Sequence, residues 1–167
     1  MIYLLEHEDK DNRAAAHDLL RRGLREEYGI TGKPAFTVGA YGKPYLTETP
    51  GIFFNISHCR VGAACAVSPR EVGIDMQDVR PVPANVARRV CTEAELAALA
   101  AANDPDRLFC KLWAVKEAYV KLRGGSMLKG VVDTDAVIGE AFLREGANWF
   151  LCCFGCDEMS AGTECPG

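Results

Sequence analysis

Residues 113–121 (WAVKEAYVK) place one carboxylate between two lysines. A positioned carboxylate can act as a general base or a metal ligand, and lysines beside it can neutralise phosphate charge. Hydrophobic residues recur here at intervals of three and four, which predicts a helix from about 106 to 123. Lys116 falls within the apolar stripe and needs a partner, while Glu117 and Lys121 lie four apart on its flank. The alternative is an ordinary surface pair, with the stem of Lys116 reaching past the stripe to water.

A second set of oxygen ligands lies in residues 71–79 (EVGIDMQDV), which read as a short strand. Alternate side chains of a strand share a face, so Asp75 and Gln77 project together. Mg²⁺ prefers oxygen donors and usually takes only one or two carboxylates, with phosphate oxygens and waters completing the shell. Asp75 and Glu117 would satisfy that preference if they converge. The alternative is that Asp75 is an acid at the end of a strand, facing water.

Ser57 and His58 follow a hydrophobic run at 52–55 and precede a buried-looking strand at 61–67. A hydroxyl and an imidazole at this place can donate hydrogen bonds to a phosphate. They can equally satisfy the backbone of a local turn.

Four short motifs, in this order, resemble those of the 4′-phosphopantetheinyl transferases of the surfactin-synthetase-activating type. The resemblance is firm from residue 42 to about 125 and looser over the N-terminal helix. The motifs are Gly42-Lys43-Pro44-Tyr45, Asn55-Ile56-Ser57-His58, Val72-Gly73-Ile74-Asp75 and residues 113–121.

The resemblance implies a role for each matching residue. By this resemblance, the family's magnesium ligands correspond to Asp75, Gln77 and Glu117. Its catalytic residues would be Glu117, which deprotonates the acceptor serine, and Lys121, which contacts the diphosphate. Its contacts to coenzyme A, the co-substrate, would be Lys43, Pro44, Ser57, His58, Lys116 and Lys121.

The implied reaction moves the phosphopantetheine arm of coenzyme A to a serine of an apo carrier protein and releases adenosine 3′,5′-bisphosphate. Cations placed at the leaving oxygen would stabilise the transition state, and a serine hydroxyl gains from a nearby base. Two alternatives stay open. One is a non-catalytic homologue that binds coenzyme A or a carrier protein, and the other is a Mg²⁺-dependent hydrolase of nucleotide diphosphates.

Two departures from the family pattern bear on these roles. Gln77 stands where the family usually has an acidic third metal ligand, so it offers a carbonyl oxygen without charge. After Lys121 the family usually has Gly-x-Gly-Leu, whereas residues 124–128 here read GGSML. The turn is expected to persist, but the loop after it differs.

The expected fold is α+β: a single domain, 1–167, of two similar α/β lobes with antiparallel sheets, the first lobe being shortened. Lobe 1 would cover about 1–71 and lobe 2 about 72–167. A length of 167 residues with 49% hydrophobic content supports such a core. Besides the helix at 106–123, helices are predicted at 12–28 and from the capping box at 92–95 to about 103. Strands are predicted at 2–5, 35–38, 52–55, 61–67, 72–76, 131–138 and 149–154.

A formal net charge of −4 gives no general basic character, so no nucleic-acid partner is expected. The apolar run at residues 1–5 is too short for a signal peptide, and no stretch approaches the roughly 20 apolar residues that span a bilayer, so we expect a cytoplasmic protein with no membrane partner. We also expect a monomer. The arginines of the first helix either hold the nucleotide's extra phosphate or an acidic carrier protein, or form a solvated face. They are Arg13, Arg21, Arg22 and Arg25.

The eight cysteines are read as thiols, since no signal sequence suggests an oxidising compartment. Four of them cluster near the end of the chain, where zinc binding is the alternative. Cys152 and Cys153 would, however, point to opposite faces of a strand.

Overall fold

The structure is a computed structural model that describes residues 1–7, 11–39, 42–125, 131–156 and 158–160. Its strands are β1 (Ile2–Glu6), β2 (Phe36–Val38), β3 (Pro44–Leu46), β4 (Phe53–Cys59), β5 (Gly62–Ser68), β6 (Gly73–Asp78), β7 (Ala141–Glu145) and β8 (Trp149–Phe154). Its helices are α1 (Asn12–Tyr28), α2 (Ala84–Val90), α3 (Glu93–Ala101), α4 (Pro105–Leu122) and α5 (Thr134–Val137), followed by a 3-10 helix at Ile138–Glu140.

Two three-stranded antiparallel sheets share one strand order. The first sheet has the order β1-β5-β4 and the second β6-β8-β7, while β2 and β3 form a separate ribbon. In each sheet the last strand along the chain takes the middle position. A long helix follows the first strand, directly after β1 in the first sheet and after two shorter helices that follow β6 in the second. The described chain is therefore α+β with two topologically similar halves, and the expected lobe boundary near residue 71 falls between their sheets.

The two sheets share a hydrophobic core. Ile2 and Leu4 of the first sheet join Ile74, Met76 and residues of β8 in one buried cluster. The long helices cover the outer faces, α1 on the first sheet and α4 on the second. Because each sheet is buried on both sides, its central strand, β5 or β8, is apolar along nearly its whole length.

Local signals set the ends of both long helices. The side chain of Asp11 caps α1 and that of Asp104 caps α4, where Pro105 fills the first turn. Gly29 ends α1 in the left-handed conformation that glycine adopts most easily. No helix among the described residues has the length and apolar content needed to cross a membrane.

The predicted helices 12–28 and 106–123 are confirmed to within one residue, and the capping box at Thr92 opens α3 as expected. The strand predicted at 131–138 is wrong. Asp133 caps a short helix there through the N–H of Asp135, and the strand begins only at Ala141. The prediction for 52–55 was too short, because β4 continues to Cys59. The described cysteines are free thiols, and Cys152 and Cys153 lie in different core clusters, as their alternation predicts; Cys165 lies outside the described residues.

The approach of α4 to β6 depends on Gly73. A Cβ atom at this position would overlap backbone atoms of Ala118 and Leu122. We expect Gly73→Ala to lower the free energy of unfolding by about 3 kcal/mol, because the helix must move off the sheet. Thermal denaturation would show this as a fall of roughly 10 °C. Gly32→Ala, where an added methyl group meets nothing within 4 Å, is the matched control. Equal melting temperatures for both variants would contradict the close approach.

Candidate functional site at the seam between the sheets

The candidate site lies where β4 and β6, the edge strands of the two sheets, run side by side. No backbone ladder joins them. Instead, the Oδ1 of Asn55 accepts the N–H of Ile74 at 3.0 Å, and the Oγ of Ser57 accepts the N–H of Met76 at 3.1 Å. Both β4 side chains are buried. These two side chains accept backbone N–H groups on the free edge of β6 and hold Asp75 in the contact between β4 and β6, which we call the seam.

Asp75 is the centre of a hydrogen-bond network although it is 2% exposed. Its Oδ1 accepts from the Oγ of Ser57 at 2.8 Å and from the Nζ of Lys121 at 2.6 Å. Its Oδ2 accepts from the Nε2 of Gln77 at 2.8 Å. Lys121 also donates to the backbone carbonyl of Ile74. The buried carboxylate is therefore both paired and held in one orientation.

Glu117 approaches Asp75 from the helix. It lies one turn before Lys121 on α4 and is half-buried. Burial raises the pKa of the Glu117 carboxyl, the charge of Asp75 raises it further, and Lys121 partly offsets both effects. Asp75 and Glu117, which are distant in sequence, are therefore near enough for their charges to interact. That they bind one metal ion stays a prediction. Lys121, however, pairs with Asp75 rather than standing as a surface partner of Glu117.

The donor set at the seam fits a hard divalent cation. Two carboxylates and the amide of Gln77 offer oxygen ligands, and mutual repulsion of the carboxylates favours a cation between them. Within the described ranges no group of three or more histidine, cysteine or acidic side chains could enclose a metal. A Mg²⁺ ion at this place would take the two carboxylates and complete its shell with phosphate and water.

A polar cleft of about 690 Å³ adjoins Gln77. The exposed ring of His58 lines it, together with three arginines that come from α1, the β4–β5 turn and the end of β6. They are Arg13, Arg60 and Arg80. Arg60 and Arg80 were missed in the sequence, although each lies two or three residues from a motif position. Asp11 and Asp78 also line the cleft, and Asp78 pairs with Arg60 at 3.6 Å. The positive charge that could attract an anionic ligand therefore comes mainly from Arg13 and Arg80.

A smaller, more apolar cavity of about 280 Å³ opens on the other side of Gln77. Pro81 and Val82 line it from the chain between β6 and α2, Val86 from α2, and Phe109 and Trp113 from α4. Polar and apolar cavities therefore meet at the same residue, beside Asp75.

Lys116 does not lie in the cleft. Its side chain is fully buried, and Nζ donates to both carboxylate oxygens of Glu95 at 2.8 Å and to the carbonyl of Val132. An ammonium group has three hydrogens, and here each has an acceptor inside the protein. This geometry argues against direct contact with coenzyme A, which for Lys116 remains a sequence prediction.

Lys43 is similarly enclosed. Its Nζ is paired with Glu71 and donates to the carbonyl of Leu122 at 3.0 Å, at the end of α4. Pro44 begins β3 and is half-buried. In this structure Lys43 caps the helix that carries Lys121. Contact of Lys43 and Pro44 with a nucleotide also remains a prediction.

Known proteins are similar to this chain in sequence. Residues 71–149 match the 4′-phosphopantetheinyl transferase superfamily. A 4′-phosphopantetheinyl transferase of Bacillus subtilis is 34% identical over 125 residues, which cover 71% of this chain and 54% of that protein. 4′-Phosphopantetheinyl transferase Sfp of Bacillus subtilis strain 168 is 29% identical over 122 residues, covering 71% and 54%. The Nostoc protein HetI, also named as such a transferase, is 32% identical over 124 residues, covering 69% and 52%.

The chain is thus a relative of the 4′-phosphopantetheinyl transferases, and residues 71–149 carry the superfamily match directly. It spans about half the length of the curated relatives that it matches. The matched residues include Asp75, Gln77, Glu117 and Lys121, the four side chains gathered at the seam.

The raised pKa of Glu117 predicts a pH-dependent stability. In metal-free buffer at pH 7, Glu117→Gln should raise the melting temperature, because a neutral amide avoids both desolvation and repulsion from Asp75. The folded-state pKa exceeds the ordinary value of 4.5, so the folded chain binds more protons between these two values. Ionised Glu117 therefore lowers the free energy of unfolding of the wild type by its full amount at pH values above the folded-state pKa. This loss of stability disappears as the pH falls below 4.5.

Thermal denaturation between pH 4 and pH 8 measures this difference. The exposed acid Glu140, changed to Gln, serves as the control and should show no such trend. The electrostatic account would be refuted if Glu117→Gln melted at a lower temperature than wild type at pH 7. It would also be refuted if the variant were stabilised by the same amount at every pH from 4 to 8.

Proposed function

We propose that this protein is a Mg²⁺-dependent 4′-phosphopantetheinyl transferase that moves the phosphopantetheine arm of coenzyme A to a serine of an apo carrier protein. The observation that carries the proposal is the seam itself. There Glu117, Asp75 and Lys121 meet beside a polar cleft whose lining includes His58 and three arginines. Adenosine 3′,5′-bisphosphate would be the second product. The superfamily match over the same residues supports this assignment.

Glu117 is the proposed general base. Its raised pKa brings the carboxyl closer to the working pH of a base than an exposed glutamate would be. Its half-exposed position at the seam leaves it accessible to a serine hydroxyl. Removal of the serine proton turns a weak nucleophile into one that can attack the β-phosphorus of coenzyme A. The P–O bond to the bridging oxygen breaks as the new P–O bond forms, and the proton passes to Glu117.

Lys121 and the metal ligands act on the leaving side. Lys121 is partly exposed beside Asp75, so its ammonium group can neutralise the oxygen that leaves with the nucleotide. Asp75 and Glu117 would hold Mg²⁺, with Gln77 contributing its amide oxygen after rotation away from Asp75. Bound there, Mg²⁺ supplies charge neutralisation on the diphosphate. Ser57 orients Asp75, and His58 faces the phosphate side.

The decisive experiment incubates the protein with coenzyme A, Mg²⁺ and an apo carrier protein. The carrier is then weighed by intact-mass spectrometry. We expect the carrier to gain one phosphopantetheine, about 340 Da from its chemical composition, and adenosine bisphosphate to appear in equal amount because one bond is exchanged for another. Glu117→Gln should lose at least about 100-fold of this activity while coenzyme A binding stays within about twofold, because the variant removes a base and a charge at the metal but no phosphate donor.

The two other functions give different results. Nucleotide release without gain of carrier mass would favour a nucleotide diphosphate hydrolase, in which water replaces serine. Binding of coenzyme A without either product would favour a non-catalytic homologue. Full activity of Glu117→Gln would remove Glu117 from the reaction even if transfer is observed.

The arginines of the cleft are proposed to bind the 3′-phosphate of coenzyme A. Arg13→Gln should weaken coenzyme A about fivefold, an effect of roughly 1 kcal/mol, and leave 3′-dephospho-coenzyme A unaffected. Isothermal titration calorimetry with both ligands measures the difference. Arg21→Gln is the matched control, since Arg21 lies on the same helix, is exposed and pairs with Asp18 outside the cleft. An equal loss of affinity for both ligands would show that Arg13 does not bind the 3′-phosphate.

A further inference from the structure

The buried pair of Lys116 and Glu95 connects three separate parts of the second half of the molecule. Lys116 belongs to the middle of α4, Glu95 to the first turn of α3, and the carbonyl of Val132 to the chain just before α5. Glu95 also accepts the N–H of Thr92 at 2.7 Å and that of Thr134 at 3.1 Å. One carboxylate thus joins the starts of two helices to the centre of a third.

All the charged groups of this network are satisfied internally. The side chain of Lys116 has no exposed surface and that of Glu95 is 7% exposed. Burial tends to raise the pKa of the Glu95 carboxyl, but hydrogen bonds from Lys116, Thr134 and Thr92 outweigh it and leave the pKa below its ordinary value. The pair is charged and locked, and it is not poised to exchange with a ligand.

The position of the pair on α4 connects it to the site. Lys116 immediately precedes Glu117, so the two side chains leave the helix about 100° apart. Ala114, Val115 and Ala118 face the sheet, so packing and the close approach at Gly73 set the distance of the helix from the sheet. The three directional hydrogen bonds of Lys116 add a constraint on the rotation of the helix, and Glu117 then projects toward Asp75.

We propose that Lys116, through Glu95, is a positioning residue for Glu117 and makes no contact with coenzyme A. The proposal rests on the proposed function for its kinetic readout. A buried ion pair adds little net stability compared with neutral groups of the same shape, because desolvation offsets the attraction. Its contribution here is the orientation of α4.

The test separates binding from turnover. Lys116→Met should leave the dissociation constant and the KM for coenzyme A within about twofold of wild type. It should lower kcat about 100-fold, because a small displacement of the base disturbs the reacting geometry. Lys121→Met is the matched control on the same helix, and its dissociation constant for coenzyme A should rise about tenfold. A rise in the dissociation constant for Lys116→Met like that of the control would overturn the proposal.

A second variant separates positioning from folding. Lys116→Met alone leaves a buried carboxylate unpaired and should lower the melting temperature by about 10 °C. The double variant Lys116→Met/Glu95→Gln removes both buried charges, and the Gln amide oxygen can accept one of the two backbone N–H groups that Glu95 accepts. Its melting temperature should recover part of the loss seen for Lys116→Met while kcat stays low.

Recovery of kcat together with melting temperature would show that the pair only supports the fold, and would overturn the positioning role. The outcome is distinguishable from failure of the proposed function, because wild-type transfer is measured first. If wild type proves inactive, the calorimetric comparison of Lys116→Met with Lys121→Met still decides whether Lys116 contacts coenzyme A.

Discussion

The site depends on one constraint: two sheet edges meet without sharing a ladder. An edge strand carries backbone groups that need partners, and β6 obtains them from the side chains of Asn55 and Ser57. That solution leaves room between the strands for the carboxylate of Asp75, which a continuous backbone ladder would have displaced. The oxygen-rich seam is therefore a direct product of how the two halves associate.

The helix α4 supplies the other side of this seam, and its placement is closely specified. Gly73 lets its backbone approach β6, Lys43 caps its end, and Lys116 is anchored near its middle. These contacts come from different parts of the chain. Together they hold Glu117 and Lys121 against one short strand, so that a half-buried acid, an ammonium group and the buried carboxylate of Asp75 share a small volume.

Features with local causes could be read from the sequence. The periodicity of α4, the capping box at Thr92 and the alternation that places Asp75 beside Gln77 all rest on neighbours within a few residues. The sequence also indicated that Lys116 needs a partner. It did not identify Glu95 as that partner, because the capping box already gave Glu95 a local role. The strand predicted at 131–138 failed because Val131, Val137 and Ile138 suggest a strand, whereas the cap at Asp133 initiates a helix. Arg60 and Arg80 reach the cleft only through the tertiary fold.

The seam also couples the integrity of the two halves. Since Asn55 and Ser57 belong to the first sheet and Asp75 to the second, partial opening of either sheet would separate the hydroxyl from the carboxylate that it orients. Local unfolding of the first sheet alone would thus remove the hydrogen bond that orients Asp75 in the second, and with it the proposed metal and phosphate sites. The proposed chemistry therefore requires both halves to be folded at the same time.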